Sequence, residues 1–196
     1  MECLLPYCRM VDRLVYDFSI TKVIVLVINR ILGTSDNGNR FFTGFHKHEK
    51  AYVISENLST YKDYFSFAFV RNPFDLIVSL YFYIRQSKSH KYHSIVMSQS
   101  FFEFVPWYLE TNPEKQMDFI SDPKTGQVIV NFIGYFESLE SDLIRLQEII
   151  GVKMTAPHKN RSKKRNKSYQ EYYDNKTQVL VHDYFLEDLV ALNYSY

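Results

Sequence analysis

Arg71, Asn72, Pro73, Asp75 and Ser79 form the densest chemical pattern in the sequence. A nearly continuous apolar and aromatic run, Phe65–Val70, ends abruptly at the arginine. Such a run suits a strand buried on both faces of a parallel sheet. Asn72 is a good N-cap, Pro73 belongs at the first helical position, and Asp75 puts a carboxylate in the first turn, so a helix is predicted to start there. A cation at the carboxyl end of a buried strand, beside a helix N-terminus, is suited to holding a phosphate. Leu76, Ser79, Leu80 and Tyr83 follow at helical spacing, which predicts that Ser79 shares a face with inward-packing residues. The Ser79 hydroxyl lies roughly 10 Å up that helix, so it can share one anion with Arg71 only along the helix flank.

Two further groups carry chemistry. In Phe41–Lys50 (FFTGFHKHEK), His46 and His48 are two residues apart and would point to one side of an extended segment. Histidine titrates near neutrality and suits a general base. A metal pair is the other option, but no third ligand stands at a recognisable spacing, so no metal is expected. The second group is a basic loop holding Lys159, Arg161, Lys163, Lys164, Arg165 and Lys167. With a formal net charge of only +1 over the whole chain, any anion-binding role is regional. Gln86–Gln99, with His90 and His93, is expected to be a polar surface loop near an acceptor entrance.

The elements that must position these groups belong to a chain of 196 residues, the size of one domain with a full core. Hydrophobic residues at 46% and charged residues at 23% are ordinary globular values, so a folded chain is expected, while 16 Tyr and 16 Phe are unusually many. Cys3 and Cys8 are the only cysteines, with no second pair for a disulfide framework or metal site, which fits a reducing compartment. No apolar run approaches the roughly 18 residues of a membrane span and the first residues do not read as a signal peptide, so a cytoplasmic protein is expected. Met1–Arg13 is a lead-in. Leu14–Ile20 reads as a strand, Ala51–Ile54 as a weak strand, and Ser55 as the cap of a short helix ending near Lys62. Phe101–Leu109 is predicted helical with a kink or break at Pro106. A turn at Pro123–Gly126 precedes a strand over Val128–Ile133. A helix capped by Ser138 or Ser141 ends at Gly151, and a last helix runs from about Asn175 to Leu192 with Val179, Leu180, Phe185, Leu189 and Leu192 facing the core. Strands alternating with helices predict an α/β fold with a parallel sheet, its ligands beyond the carboxyl ends of the strands.

R-N-P-x-D-x-x-x-S over Arg71–Ser79 resembles the 3'-phosphate-binding motif of carbohydrate-type sulfotransferases, which use 3'-phosphoadenosine 5'-phosphosulfate (PAPS). The likeness continues in Asn131–Val152, in Pro157–Lys164 (PHKNRSKK) and in Glu171–Tyr196, and FFTGFHKHEK is similar to the H-x-H segment of the heparan sulfate 2-O-type enzymes. The resemblance implies a single domain over 1–196 with a three-layer, P-loop-like fold, a central parallel sheet and flanking helices. It implies transfer of a sulfuryl group from PAPS to a hydroxyl of a glycan or small-molecule acceptor, without metal or nucleic acid. Arg71 and Ser79 would bind the nucleotide, joined by Lys22, Arg161, Ser162 and Lys163. His48, or else His46, would be the base, and Lys22 would contact the transferring group.

One stretch departs from the family pattern. The phosphate loop I-P-K-T-x-G-T-S corresponds to Ile20–Val27, where Ile20 and Lys22 match, Val25 stands for the glycine, and Leu26 and Val27 stand for the hydroxyl residues. On residue chemistry alone, VIVLVI over Val23–Ile28 is a buried strand. On the family alignment it is a loop and first helical turn, with the first helix over Asn29–Gly33. Lost donors there would suit a non-catalytic relative that keeps nucleotide binding. An RNA-binding module using the basic loop is a third reading, without a nucleic-acid motif to accompany the charge.

Overall fold

A computed structural model describes residues 26–29, 49–59, 61–151 and 167–196. The elements are β1 (Leu26–Asn29), α1 (Ala51–Asn57), β2 (Tyr64–Val70), α2 (Pro73–Gln86), α3 (His93–Met97), α4 (Phe101–Glu110), α5 (Met117–Ile120), β3 (Phe132–Tyr135), α6 (Leu139–Ile150), α7 (Asn175–Tyr184) and α8 (Leu186–Ala191). The chain divides into two compact units. Among the described residues one comprises 26–29, 49–70 and 116–151, and the other 71–115 and 167–196.

The first unit is built on a three-stranded sheet in the order β1-β2-β3. β2 pairs parallel with β3, Phe67 opposite Phe132 and Phe69 opposite Gly134, as a parallel α/β reading expects. Its other neighbour runs antiparallel, Leu26 opposite Phe67, so the described sheet is mixed rather than wholly parallel. β1 also decides between the two readings of VIVLVI where they can be compared. Leu26 and Val27 are strand residues, not phosphate-loop residues, and Asn29 ends the strand instead of opening a helix. Chains of β-branched residues fit a pleated sheet better than a helical turn.

Phe67, Phe69 and Phe132 pack with Leu143 and Leu146 of α6, all nearly or fully buried. Gly134 lies within β3 rather than after it, paired with Phe69 of β2, whose ring covers it. A Cβ at that position would fall 2.3 Å from the ring. This close approach is what a glycine inside a strand commonly marks. Val128 lies outside the strand, in a single bridge with Ser121, and is exposed. Ala51–Ile54 is helical, not extended: Ala51 and Ile54 are buried three residues apart on one face of α1, and Ser55 donates back to the Tyr52 carbonyl instead of capping.

Two polar knots tie the sheet to its surroundings. Asn131 Oδ1 accepts from the Ser66 N–H (2.8 Å) and Ser66 Oγ (3.0 Å), while the Tyr61 hydroxyl reaches the Ile129 carbonyl at 3.1 Å. At the β3–α6 corner, Asp142 accepts from the Tyr135 N–H (2.7 Å), Ser138 Oγ (2.8 Å) and Arg145 Nη1 (3.0 Å). Ser138 therefore begins α6 without its side chain capping the backbone. Gly151 closes the helix in the left-handed conformation, φ 71°. Because Asp142 is almost fully buried, Asp142→Ala is expected to lower unfolding stability by about 2–3 kcal/mol, through the loss of its charge-assisted bonds to the Tyr135 N–H, Ser138 and Arg145. Urea unfolding of the variant measures this; a loss under about 1 kcal/mol would show that the corner does not depend on the carboxylate.

In the second unit, α2 begins as its sequence dictates. Asn72 Oδ1 accepts from the Phe74 N–H at 3.0 Å, Pro73 is first in the helix and Asp75 is in its first turn. The inward stripe is Phe74, Ile77, Val78, Tyr81 and Ile84, shared with Phe101, Phe104, Val105, Val181, Phe185 and Leu189. Of the expected face, Leu80 is buried with this stripe while Leu76, Ser79 and Tyr83 are only half-buried, so Ser79 stands at its flank. Pro106 does not break α4, which runs to Glu110 from a Ser100–Glu103 capping box. The expected last helix is two, separated at buried Phe185, and Val181 rather than exposed Val179 faces the core.

Candidate functional site

Arg71 follows a strand whose last five residues are buried, and is itself only 9% exposed. Its side chain runs up the flank of α2. Nε donates to Asp75 Oδ2 at 2.5 Å, and Nη1 donates to Ser79 Oγ at 3.0 Å. Residues 71, 75 and 79 are four apart, which places them one above another on a helix flank. Arg71 and Ser79 are hydrogen-bonded to each other directly along that flank, the side on which an anion shared by the two is expected to lie. From the sequence Asp75 is a first-turn carboxylate and a member of the Arg71–Ser79 motif. In the structure it is the ion-pair partner that orients the guanidinium. The four-residue spacing was the available signal.

Asn72 does more than cap. With its Oδ1 engaged by Phe74, its Nδ2 donates to the Ser195 carbonyl (2.8 Å) and to the Tyr169 hydroxyl (3.3 Å). Phe74 is fully buried beneath three tyrosines. Its ring is stacked with Tyr169 and edge-on to Tyr173 and Tyr196, with centroids 6.5, 5.5 and 4.8 Å away. The Tyr173 hydroxyl donates to the Phe74 carbonyl at 2.8 Å, and that of Tyr196 to the Gln170 carbonyl at 3.0 Å. The start of α2 is thus held by the side chains of Tyr169, Tyr173 and Tyr196 and by the Ser195 carbonyl. The abundance of tyrosine was the only sequence signal for this, and it named no partners.

A guanidinium fixed by a carboxylate, a hydroxyl within hydrogen-bonding reach of it, and the N-terminal turn of a 14-residue helix together form a donor set that can exchange internal bonds for those of a phosphate. Of the sequence-predicted site residues, the structure describes and brings together Arg71 and Ser79. Lys22, His46, His48, Arg161, Ser162 and Lys163 lie outside the described residues.

His90 and His93 are placed away from Arg71. His93 Nδ1 donates to the Ile84 carbonyl at 2.9 Å, in the last turns of α2 and thirteen residues on from Arg71, roughly 20 Å along the helix axis. His90 Nδ1 accepts from the Tyr92 N–H at 3.1 Å, and burial, then Lys91 and His93, push its pKa down. The pair therefore serves the far end of α2, not the Arg71 flank. Among the described residues no group of three or more His, Cys, Asp or Glu could hold a metal ion, and no helix is long and apolar enough to cross a membrane.

Comparison with known proteins agrees with the motif. A sequence model of the sulfotransferase family matches residues 12–195. An uncharacterised protein from Archaeoglobus fulgidus is 35% identical over 92 residues, spanning 45% of this chain and 69% of that protein. No solved structure matches the chain.

Proposed function

We propose, from the premise that this chain belongs to the sulfotransferase family, that it transfers a sulfuryl group from PAPS to a hydroxyl of a glycan or small-molecule acceptor. The observation that carries this reading is the buried Arg71 with the Ser79 hydroxyl 3.0 Å from its Nη1, at the start of a capped helix. In this reading Arg71 and Ser79 hold the 3'-phosphate, and Arg161, Ser162 and Lys163 add donors to the same nucleotide. PAPS supplies the sulfuryl group. His48, or His46 beside it, takes the acceptor's hydroxyl proton, and Lys22 offsets charge on the oxygen that the sulfuryl group leaves. The parallel β2–β3 pair and the strand-turn-helix at Arg71 support a three-layer, P-loop-like domain over 1–196.

A second reading has its own observation. Leu26 and Val27, which align with the hydroxyl residues of the family's phosphate loop, are paired as strand with β2. A chain without those donors would bind the nucleotide and not turn it over. Transfer of radiolabelled sulfate from PAPS to a mixed glycan panel distinguishes the two. Turnover is expected, falling on the order of 100-fold in Lys22→Ala and in His48→Ala, with the binding of PAP, the product nucleotide, retained in the histidine variant. No transfer to any acceptor, with PAP still bound, would leave the second reading standing. Equal loss of PAP affinity in the His46 and His48 variants would remove the histidine from the mechanism.

A further inference from the structure

The sequence from the second half of α2 to the start of α4 has an unusual charge pattern. No Asp or Glu occurs between Asp75 and Glu103, while Arg85, Lys88, His90, Lys91 and His93 all fall in that interval. Lys88 and Lys91 are exposed, and Lys91 lies over the Tyr92 ring at 4.4 Å. The same segment turns three large apolar side chains outward: Ile95 is 44% exposed, Met97 48% and Phe102 50%. Scattered exposed apolar residues are ordinary, but three within one short, acid-free basic segment form a combination that a water-facing loop does not require.

The segment presents these side chains from a fixed frame. Arg85 Nη1 donates to the carbonyls of Val96 (2.8 Å), Gln99 (3.1 Å) and Met97 (3.3 Å), gathering the end of α3 and the turn into α4 around one guanidinium. The Tyr81 hydroxyl also donates to the Gln99 carbonyl at 3.0 Å, and His93 is bonded to Ile84. Val96 is fully buried between the outward Ile95 and Met97. The nearest acid in the sequence, Glu103, has its carboxylate turned back onto the Ser100 N–H and Oγ at 2.8 and 2.7 Å. Lysines beside outward aliphatic and aromatic side chains match the boundary of an anionic bilayer, where the cations meet headgroup phosphates and the apolar groups enter the acyl region. A soluble polyanion would engage the lysines but has nothing to offer Ile95, Met97 and Phe102.

We propose that the segment from Lys88 to Phe102 is a peripheral membrane-docking surface that seats the protein on anionic lipid bilayers through Lys88, Lys91, Ile95, Met97 and Phe102. This rests on the segment itself and not on the sulfotransferase reading. The test is sedimentation of the full chain with extruded vesicles of phosphatidylcholine alone or with a third phosphatidylserine, at low and moderate salt. Binding is expected to the anionic vesicles, weakened by salt, with little to the neutral ones. Lys88→Glu with Lys91→Glu should reduce it by roughly fivefold or more per lysine. Ile95→Ser, Met97→Ser and Phe102→Ser combined should reduce it at least about tenfold with charge unchanged. Phe102→Trp should keep binding and be quenched by brominated lipid, which reports insertion without removing apolar surface. Binding that the serine variant retains in full, equal retention on neutral vesicles, or an unquenched tryptophan would overturn the proposal. Capture by soluble polyphosphate that matches the vesicles and survives the serine changes would likewise leave only a polyanion surface.

Discussion

PAP is expected to raise the melting temperature of the wild-type chain, and Arg71→Ala to abolish most of that rise. Truncating one partner of a buried, hydrogen-bonded charge pair weakens binding by roughly 100-fold, about 3 kcal/mol. Ligand stabilisation follows the logarithm of concentration over Kd. At a nucleotide concentration of about 100 Kd the wild type gains about 2.7 kcal/mol, and a variant weakened 100-fold gains only about 0.4 kcal/mol. Arg71 is also the ion-pair partner of Asp75, itself 9% exposed, so the variant without nucleotide should melt earlier as well. Each shift must therefore be read from its own ligand-free baseline. Ser79→Ala leaves the Arg71–Asp75 pair in place and removes one donor, so its baseline should barely move while PAP affinity falls several-fold. A wild-type-sized shift in Arg71→Ala would remove the 3'-phosphate assignment from this flank and leave family membership untouched.

The largest expected stability effect is at Phe74. It is fully buried at the first turn of α2, with edge-on partners in Tyr173 and Tyr196 and a stacked one in Tyr169. Phe74→Ala should cost about 3–5 kcal/mol in urea unfolding, because the ring's transfer energy and the cavity left behind add together. Edge-to-face aromatic pairs contribute about 0.5–1.5 kcal/mol each beyond their burial, which favours the upper part of that range. The Tyr173 hydroxyl bonds to the backbone carbonyl of Phe74 and survives the substitution, so α2 should still form. Amide exchange should then quicken first in 169–173, where the ring's partners lie. A loss below about 2 kcal/mol, or exchange unchanged in that segment, would show that the tyrosines hold the helix start without Phe74.

The strand-turn-helix over 64–86 was determined by sequence alone, because every local signal there agrees. An apolar run suits a buried strand, Asn72 caps, and Pro73 is tolerated only where no N–H is needed. The family was legible for the same reason: the residues that carry it stand at fixed spacing along one chain segment. Elsewhere local signals conflicted or were too weak to decide. VIVLVI could be placed as strand or as loop until Leu26 and Val27 paired with β2, since a strand's state depends on a partner some forty residues away. Ala51–Ile54 carried β-favouring residues, yet the burial of Ala51 and Ile54 at helical spacing overrode that preference. The roles of Asp75, Tyr169, Tyr173 and Tyr196 around the start of α2 were tertiary decisions. A hydrogen bond such as Asn72 to Ser195 joins residues 123 apart, and no residue pattern along a chain encodes which distant group will lie within 3 Å once the core has closed. The placement of His90 and His93 at the far end of α2 was decided in the same way, by the bond from His93 to the Ile84 carbonyl that pins the loop to its own helix.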